Sequence, residues 1–445
     1  MMHLHAARAV TISLILANAA APAGERPTTS IGGSYRIDLP TVLQLAHARN
    51  LDIQIARERL AEAQANQEGA IWQALPWVSP GVNYRNHQGL IQDVAGNMIE
   101  AHKQSYALGP TSNLQLDIGD TLYKNLVARQ LTQAARHALA AQTQDSVFTA
   151  VQDYFDLVRA HELTNIAREA VDISQRYQTE THTAVEAGIA FKGDELRVQV
   201  QTERDNLALL QAQQNERTAA VRLADVLYLD PAVNLIATNR DMAPLSIVRE
   251  SQDLGSLISQ ALITRPELGQ TNALLKSAKH AANGATYGPF LPTVSGQAFT
   301  GNFGGNSDAG PARSGGSEDY AVSLGWRIGP GGLFDVPRIK AADARFRAAQ
   351  LTADKTRDNV IAEVVDAQTR VLSLRGQIDQ AARAVDTAAE TLRLTEERKE
   401  FAVGNVLETI LAEQDLTRAR ADYANAVVDY NKAQYALTRA IGGLK

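Results

Sequence analysis

The chain states one pattern twice. From Thr41 to Asp230, and again from Gly255 to Gly443, an Ala-rich helical stretch is followed by two short alternating segments, a very long helical stretch and a last helix. In the first copy Ala46 opens a helix carrying Asn50-Leu51-Asp52, which ends before Leu75-Pro76 and Trp77-Val78-Ser79. In the second, Ala261 opens a helix carrying Arg265-Pro266-Glu267, which ends before Leu291-Pro292 and Thr293-Val294-Ser295 at the same offset. Farther on, Ala187-Gly188 precedes Glu195-Leu196 as Val403-Gly404 precedes Ile410-Leu411. A duplication of this kind implies pseudo-twofold construction within one chain.

Length alone, 445 residues, would suggest about three domains, but these helical stretches are far longer than compact domains use. A net charge of −6, with signs interspersed and no basic patch, argues against nucleic acid as a partner. The N-terminus carries Arg8, an apolar run from Ala9 to Leu16, and small residues ending Ala21-Pro22-Ala23, which reads as a signal peptide over residues 1–23. An extended segment, 24–40, precedes the first repeat (41–230); a linker, 231–254, separates it from the second (255–445). No stretch approaches the roughly 18 apolar residues of a membrane-spanning helix, so any crossing is made by strands. With no cysteine, anchoring by an acylated cysteine is excluded.

Four segments alternate with period two. Val78, Val82 and Tyr84 alternate with Ser79, Gly81, Asn83 and Arg85; from Leu108 to Ile118 the even positions read Leu, Pro, Ser, Leu, Leu, Ile and the odd ones Gly, Thr, Asn, Gln, Asp. Tyr320, Val322, Leu324, Trp326 and Ile328 alternate with small or polar residues, and a weaker strand runs from Pro292 to Thr300. These predict strands at about 77–87, 104–118, 291–301 and 318–328, paired as two hairpins around polar loops at Gln88 to His102 and Gly301 to Ser317. Trp72, Trp77, Tyr84, Tyr106, Tyr287, Phe290, Phe299, Tyr320 and Trp326 lie in or beside them, and such clustering suggests interfacial belts, with Trp77, Tyr84, Tyr106, Tyr320 and Trp326 as the membrane-interface aromatics.

Long helices are expected at about 119–187, 193–229, 337–402 and 405–442. Val364, Ala367, Val371, Leu374, Ile378, Ala381, Val385, Ala388 and Leu392 step by fours and threes, as do Ala419, Tyr423, Ala426, Tyr430, Ala433, Leu437 and Ala440. That is a sustained heptad seam, so the helices supercoil. Val147, Val151, Tyr154 and Val158 start the same seam in the first copy. Gly188, Gly193 and Gly404 mark the turns where each long helix reverses. Four strands cannot close a membrane barrel, because an open edge is not tolerated in lipid and the smallest barrels have about eight strands. The strands therefore demand association: two copies give eight, three give twelve.

With this order and spacing repeated twice, the chain resembles the outer-membrane efflux protein family, the TolC-like channels, over nearly its whole mature length. The resemblance implies an α+β membrane protein: a long α-helical coiled-coil barrel continuous with a transmembrane β-barrel, four strands per protomer, internally duplicated. It implies a homotrimer in the outer membrane reaching into the periplasm, the exit duct of an efflux or type I secretion system, with outer-membrane lipid, a periplasmic adaptor and an inner-membrane pump of RND or ABC type as partners. The turns at Gly188, Ile189, Ala190, Phe191 and Lys192, and at Val403, Gly404, Asn405 and Val406, then correspond to the adaptor-contacting tip. Glu408 or Glu413, with Asp194 and Glu195 nearby, becomes the candidate acidic ring at the periplasmic aperture, where three symmetry copies would favour cations. A solvated carboxylate at a helix start is the plainer reading of each. The Gly329-Pro330-Gly331-Gly332 turn is an enlargement relative to the usual pattern, and the chain stops soon after its last helix.

No catalytic motif survives inspection. His161-Glu162 is followed by Asn165 where a zinc-protease helix needs a second His, and the Gly-rich tract at Gly301 to Gly316 lacks the Lys-Ser/Thr ending of a phosphate loop. Nine His, four Met and no Cys, widely spread, do not suggest a metal site or cofactor. The chain is therefore not expected to be an enzyme. The competing function is a structural periplasmic coiled coil or surface adhesin anchored by its strands. The helix reversals argue for a tube wall built from antiparallel pairs, because a stalk needs none.

Overall fold

The computed structural model describes residues 34–238, 242–249, 251–307, 311–400 and 406–444. The expected signal peptide, the start of the 24–40 segment, the tip residues Val403, Gly404 and Asn405, and the side chain of Val406 lie outside the described residues.

Each copy begins with two successive helices, α1 (Leu39–Arg49) and α2 (Leu51–Trp72) in the first, α5 (Leu254–Thr264) and α6 (Pro266–Tyr287) in the second. The joint between them has two different causes. Asn50 leaves the helix at ψ 122° and its side chain accepts the N–H groups of Asp52 (2.9 Å) and Ile53 (3.1 Å), capping α2. Arg265 leaves at ψ 121° because it precedes Pro266, whose ring disfavours helical backbone on its neighbour. Two strands follow in each copy: β2 (Trp77–Gln92) and β3 (Met98–Asp117), then β5 (Thr293–Ser307) and β6 (Arg313–Gly325). The long helices complete each copy, α3 (Ile118–Glu186) with α4 (Lys192–Val226), and α7 (Val336–Glu400) with α8 (Val406–Ala440). At 69 residues α3 is roughly 100 Å long.

Every seam position inferred from the heptads turns inward. Val364, Val371, Ile378 and Leu392 on α7, Ala426, Tyr430 and Leu437 on α8, and Val147, Val151, Tyr154 and Val158 on α3 are buried, with Leu374, Ala381, Val385 and Tyr423 packed beside them. α3 pairs with α4 and α7 with α8; α3 also packs on α8, and α6 lies against both α3 and α7. The four long helices thus form a row with α4 and α7 on its flanks. Both flanks carry exposed apolar residues, Leu196, Val200, Leu207 and Leu210 on α4 and Leu351, Val365 and Leu372 on α7.

Two short strands escape the alternation rule. β1 (Ser34–Ile37) pairs in parallel with β4 (Asn234–Ala237), stitching the segment before the first copy to the segment between the copies. Ile37, Leu235 and Ala237 bury themselves against Val42, Phe155, Leu223 and Leu227. The large sheet has the order β2-β3-β5-β6 and is antiparallel throughout, with β2 and β6 at its edges. Its strands run well past the alternating stretches, and the polar segments expected as loops are mostly ladder. Only a tight turn at Asp93 to Asn97 separates β2 from β3, where the Asp93 carboxylate accepts the N–H groups of Ala95 (2.9 Å) and Asn97 (2.8 Å). Ladder hydrogen bonds use backbone atoms, so polar side chains there report solvent on both faces and do not end the strand. Among the described residues no helix is long and apolar enough to cross a membrane.

Candidate functional site

Two regions hold the residues singled out by sequence: the sheet and the helix reversal at the far end of the rod. In the sheet, cross-strand register collects most of the apolar residues on one face, while Phe299 and Phe303 fall on the other. Val82 pairs with Leu108, Tyr84 with Tyr106, Leu116 with Val294 and Val294 with Leu324, while Ala298 pairs with Tyr320. Tyr84, Tyr106 and Tyr320 share this exposed face, and Trp326 continues its parity one residue past β6, its indole Nε1 donating to the Phe290 carbonyl at 3.1 Å. Trp77 does not share it. Its partners are Asn113 and, across β3, Gln297, which puts it in the polar row.

At the tip, α3 ends on a left-handed glycine. Gly188 has φ +74°, and the N–H groups of Ile189 (2.9 Å) and Ala190 (3.1 Å) return to the Ala184 carbonyl, the arrangement that satisfies a helix C-terminus. Phe191 begins α4 in extended backbone, its ring lying over Gly193, where a Cβ would come within 2.7 Å of it. Ile189 and Phe191 are largely exposed, at 84% and 76%. Lys192 Nζ reaches Glu195 at 2.6 Å, and His182 on α3 bridges Glu195 (3.0 Å) and Glu186 (3.3 Å). Hydrogen bonds from Lys192 and then His182 hold the Glu195 carboxyl below its usual range, and the Glu195 bond with the Glu186 charge raises the His182 imidazole. Asp194 pairs with Arg197 on its own helix at 3.3 Å.

The two carboxylates of α8 have different surroundings. Glu408 is half exposed and pairs with Arg398 of α7 at 3.2 Å. Glu413 is only 2% exposed, and burial, with the facing Asp205 carboxylate adding to it, pushes its pKa up to about 7. In this protomer, then, Glu413 lies within the wall between α8 and α4 and does not face open space, unlike Glu408. The difference follows from helical phase: Ile410, Glu413 and Leu416 fall on the side of α8 turned toward its neighbours, whereas Glu408 does not.

Sequence reasoning passed over what surrounds Glu413. Asp205 Oδ1 accepts from Gln201 Nε2 at 2.8 Å, and Gln201 Oε1 accepts from Gln414 Nε2 at 2.7 Å, tying α4 to α8. Tyr177 of α3 donates to Glu396 of α7, and Arg420 of α8 pairs with Glu169 of α3 at 2.7 Å. These polar ties, with the apolar contact of Tyr177, Val198 and Ile410, join the two copies near the tip. His161, the lone remnant of a metal-like motif, hydrogen-bonds Glu216 at 2.7 Å between α3 and α4 and is structural.

Comparison with known proteins agrees with this geometry. Residues 42–227 and 257–443 each match the model of the outer membrane efflux protein family, the same two blocks as the internal repeat. Protein CyaE of Bordetella pertussis is 27% identical over 319 residues, 71% of this chain; the matched region spans 65% of that protein's length. The fold is shared with the CmeC outer membrane channel of Campylobacter jejuni (TM-score 0.76, 17% identity, 91% of this chain and 85% of that one). It is shared equally with a membrane protein from Pseudomonas aeruginosa (TM-score 0.79, 19% identity, 95% and 97%).

Proposed function

Since this chain belongs to the outer membrane efflux protein family, an outer-membrane channel family reaching into the periplasm and not a family of enzymes, we propose that it works as a homotrimeric exit duct of a tripartite efflux or type I secretion system. In this reading it is a passive conduit, opened at its tip by a periplasmic adaptor and fed by an inner-membrane pump of RND or ABC type. The observation that carries the reading is the open sheet. Among the described residues β2 and β6 have no partner on their outer edges, the sheet has one largely apolar face, and lipid tolerates neither an edge nor a gap. Three copies give twelve strands, enough to enclose a lumen. The apolar residues on the flanks of the helix row, on α4 and on α7, support the same association, because the α4 of one copy would then meet the α7 of the next.

The exposed tip residues Ile189, Phe191 and Lys192, with the half-buried Ala190 between them and Gly188 setting the turn, are the adaptor-contact candidates of the first copy, and residues 403–406 those of the second. Of the four acidic candidates, Glu408 is best suited to line an aperture, with Asp194 and Glu195 at its margin. Glu413 instead belongs to the contact that has to loosen when the tip dilates. The purified chain should form discrete channels in planar bilayers, and Glu408→Gln should lower their preference for cations. A chain that fractionates as a water-soluble monomer with no conductance would sink this reading.

A further inference from the structure

We propose that residues 326–335, between β6 and α7, form a lipid-seating wedge that fixes the depth of the barrel in the periplasm-facing leaflet of the outer membrane, with Ile328 and Phe334 as its inserting side chains. The proposal rests on the outer-membrane reading and adds a dedicated lipid contact to it. Its first support is continuity. Tyr320, Val322 and Leu324 form the exposed apolar row of β6, and Trp326 and Ile328 carry that row beyond the last strand residue, Gly325. Ile328 and Phe334 are 73% and 75% exposed.

The second support is that this loop is built to hold its shape. The Gly329 N–H donates to the Leu333 carbonyl (2.9 Å), the Leu333 N–H to the Arg327 carbonyl (2.8 Å), and the Gly332 N–H to the Gly329 carbonyl (2.9 Å). Asp335 accepts the N–H groups of Gly331 (2.8 Å) and Arg338 (3.1 Å), while the Arg338 guanidinium donates to the Gly331 carbonyl and to Asp120 of α3, both at 3.1 Å. Gly329 and Gly331 sit at φ +100° and +76°, and a Cβ on Gly332 would fall 2.1 Å from the Arg327 carbonyl oxygen. The loop is therefore a fixed frame.

The third support is Phe334 itself. Its φ is +66°, a region that bulky side chains disfavour and that Gly or Asn would occupy at less cost. An exposed aromatic ring on a strained backbone is unfavourable twice over in water; both costs make sense where the ring meets an apolar solvent, and strain of this kind is a pointer to function. The lipid interface is such a solvent, and aromatic side chains favour it. A neighbouring copy is the other conceivable occupant. It would join the edge of β6 in the plane of the sheet, whereas Ile328 continues the row that faces outward from it.

The chain contains no cysteine, so single-cysteine variants of the full chain can carry an environment-sensitive fluorophore without background. Ile328→Cys and Phe334→Cys, reconstituted in vesicles of phosphatidylethanolamine and phosphatidylglycerol, should show blue-shifted emission that loses intensity to phospholipids bearing a nitroxide near the headgroup and resists aqueous iodide. Quenching by iodide at both positions would overturn the wedge, and so would protection from both quenchers, which would mean that protein covers them. Tyr320→Cys in the middle of the apolar row separates the two levels of inference. If its label is reached by nitroxide lipid while those at 328 and 334 are not, the wedge alone fails; if none of the three is reached, the membrane reading fails with it.

Discussion

The two copies cross from strand to helix in opposite ways. In the first, Asp117 is at once the last residue of β3 and the N-cap of α3, its side chain accepting the Asp120 N–H at 3.0 Å. In the second, residues 326–335 intervene between β6 and α7. The direct junction is possible because Gly119 and Gly288 touch backbone to backbone; a Cβ on Gly119 would lie 2.0 Å from the Gly288 carbonyl oxygen. One copy therefore turns the corner by close approach of two backbones, and the other by a loop that shows apolar side chains to the surroundings. The helix joints repeat the lesson: Asn50 breaks the helix and caps the next one with its side chain, whereas at Arg265 the break comes from Pro266 and the side chain joins an ion cluster. Duplication preserved the order of the elements and left the local chemistry free to diverge.

The contrast at the corners breaks most sharply at Gly119. Gly119→Ala should cost about 4 kcal/mol, because the collision is with the backbone of a separate packed element that α3 must stay against, while Gly332→Ala, which meets only Arg327 of its own loop, should cost about 2 kcal/mol. Urea midpoints of the two variants measure this, and equal losses would show that the two corners are equally constrained.

The place where the copies touch near the tip comes next. Glu413 has its pKa raised from 4.5 to about 7, so the folded chain binds that proton more tightly than the unfolded one. The associated stability is present at acid pH and is lost as pH rises from about 4.5 through about 7, a loss on the order of 3 kcal/mol by pH 8. Glu413→Gln should recover most of it, and its melting temperature should fall less than that of the parent between about pH 5.5 and about pH 8. An unchanged slope would show that Glu413 is ionised in the wall already.

The smallest contrast is at the joints. Arg265 is buried, bidentate to Glu267 (2.9 Å and 2.9 Å), in contact with Glu363 (2.8 Å), and donates to the carbonyls that end α8. Arg265→Ala should cost about 2 kcal/mol, since its acidic partners are partly hydrated and the carbonyls lose a donor. Asn50→Ala removes only a cap and should cost about 1 kcal/mol. Calorimetric melting distinguishes them, and reversal of that order would mean that the ion cluster contributes little.

What could be read in advance depended on how far each feature repeats. The heptad seam, from Val364 to Leu392, recurs over many turns, and every position of it proved inward-facing. The parallel pair of β1 and β4 is four residues on each side, too short for alternation to register, and its partners are distant in sequence. Strand ends were hidden because Asn86 to Gln92 and Gly301 to Ser307 are paired through backbone whatever their side chains. The parity of Trp77 was legible, since it differs by an odd number from Tyr84, but its proximity to other aromatics outweighed the count. The burial of Glu413 was not, because a carboxylate on a helix normally announces solvent and only the position of Asp205 on α4 reveals otherwise.

The unpaired outer edges of β2 and β6 have a consequence for inheritance. A copy with one sound edge and one spoiled edge, for instance by a proline in the middle of β6, would still join a sound neighbour and then leave the ring unable to close. Each such chain withdraws normal chains from use along with itself. Damage confined to an edge strand is thus expected to be dominant when both forms are expressed together, whereas damage that prevents folding altogether is expected to be recessive.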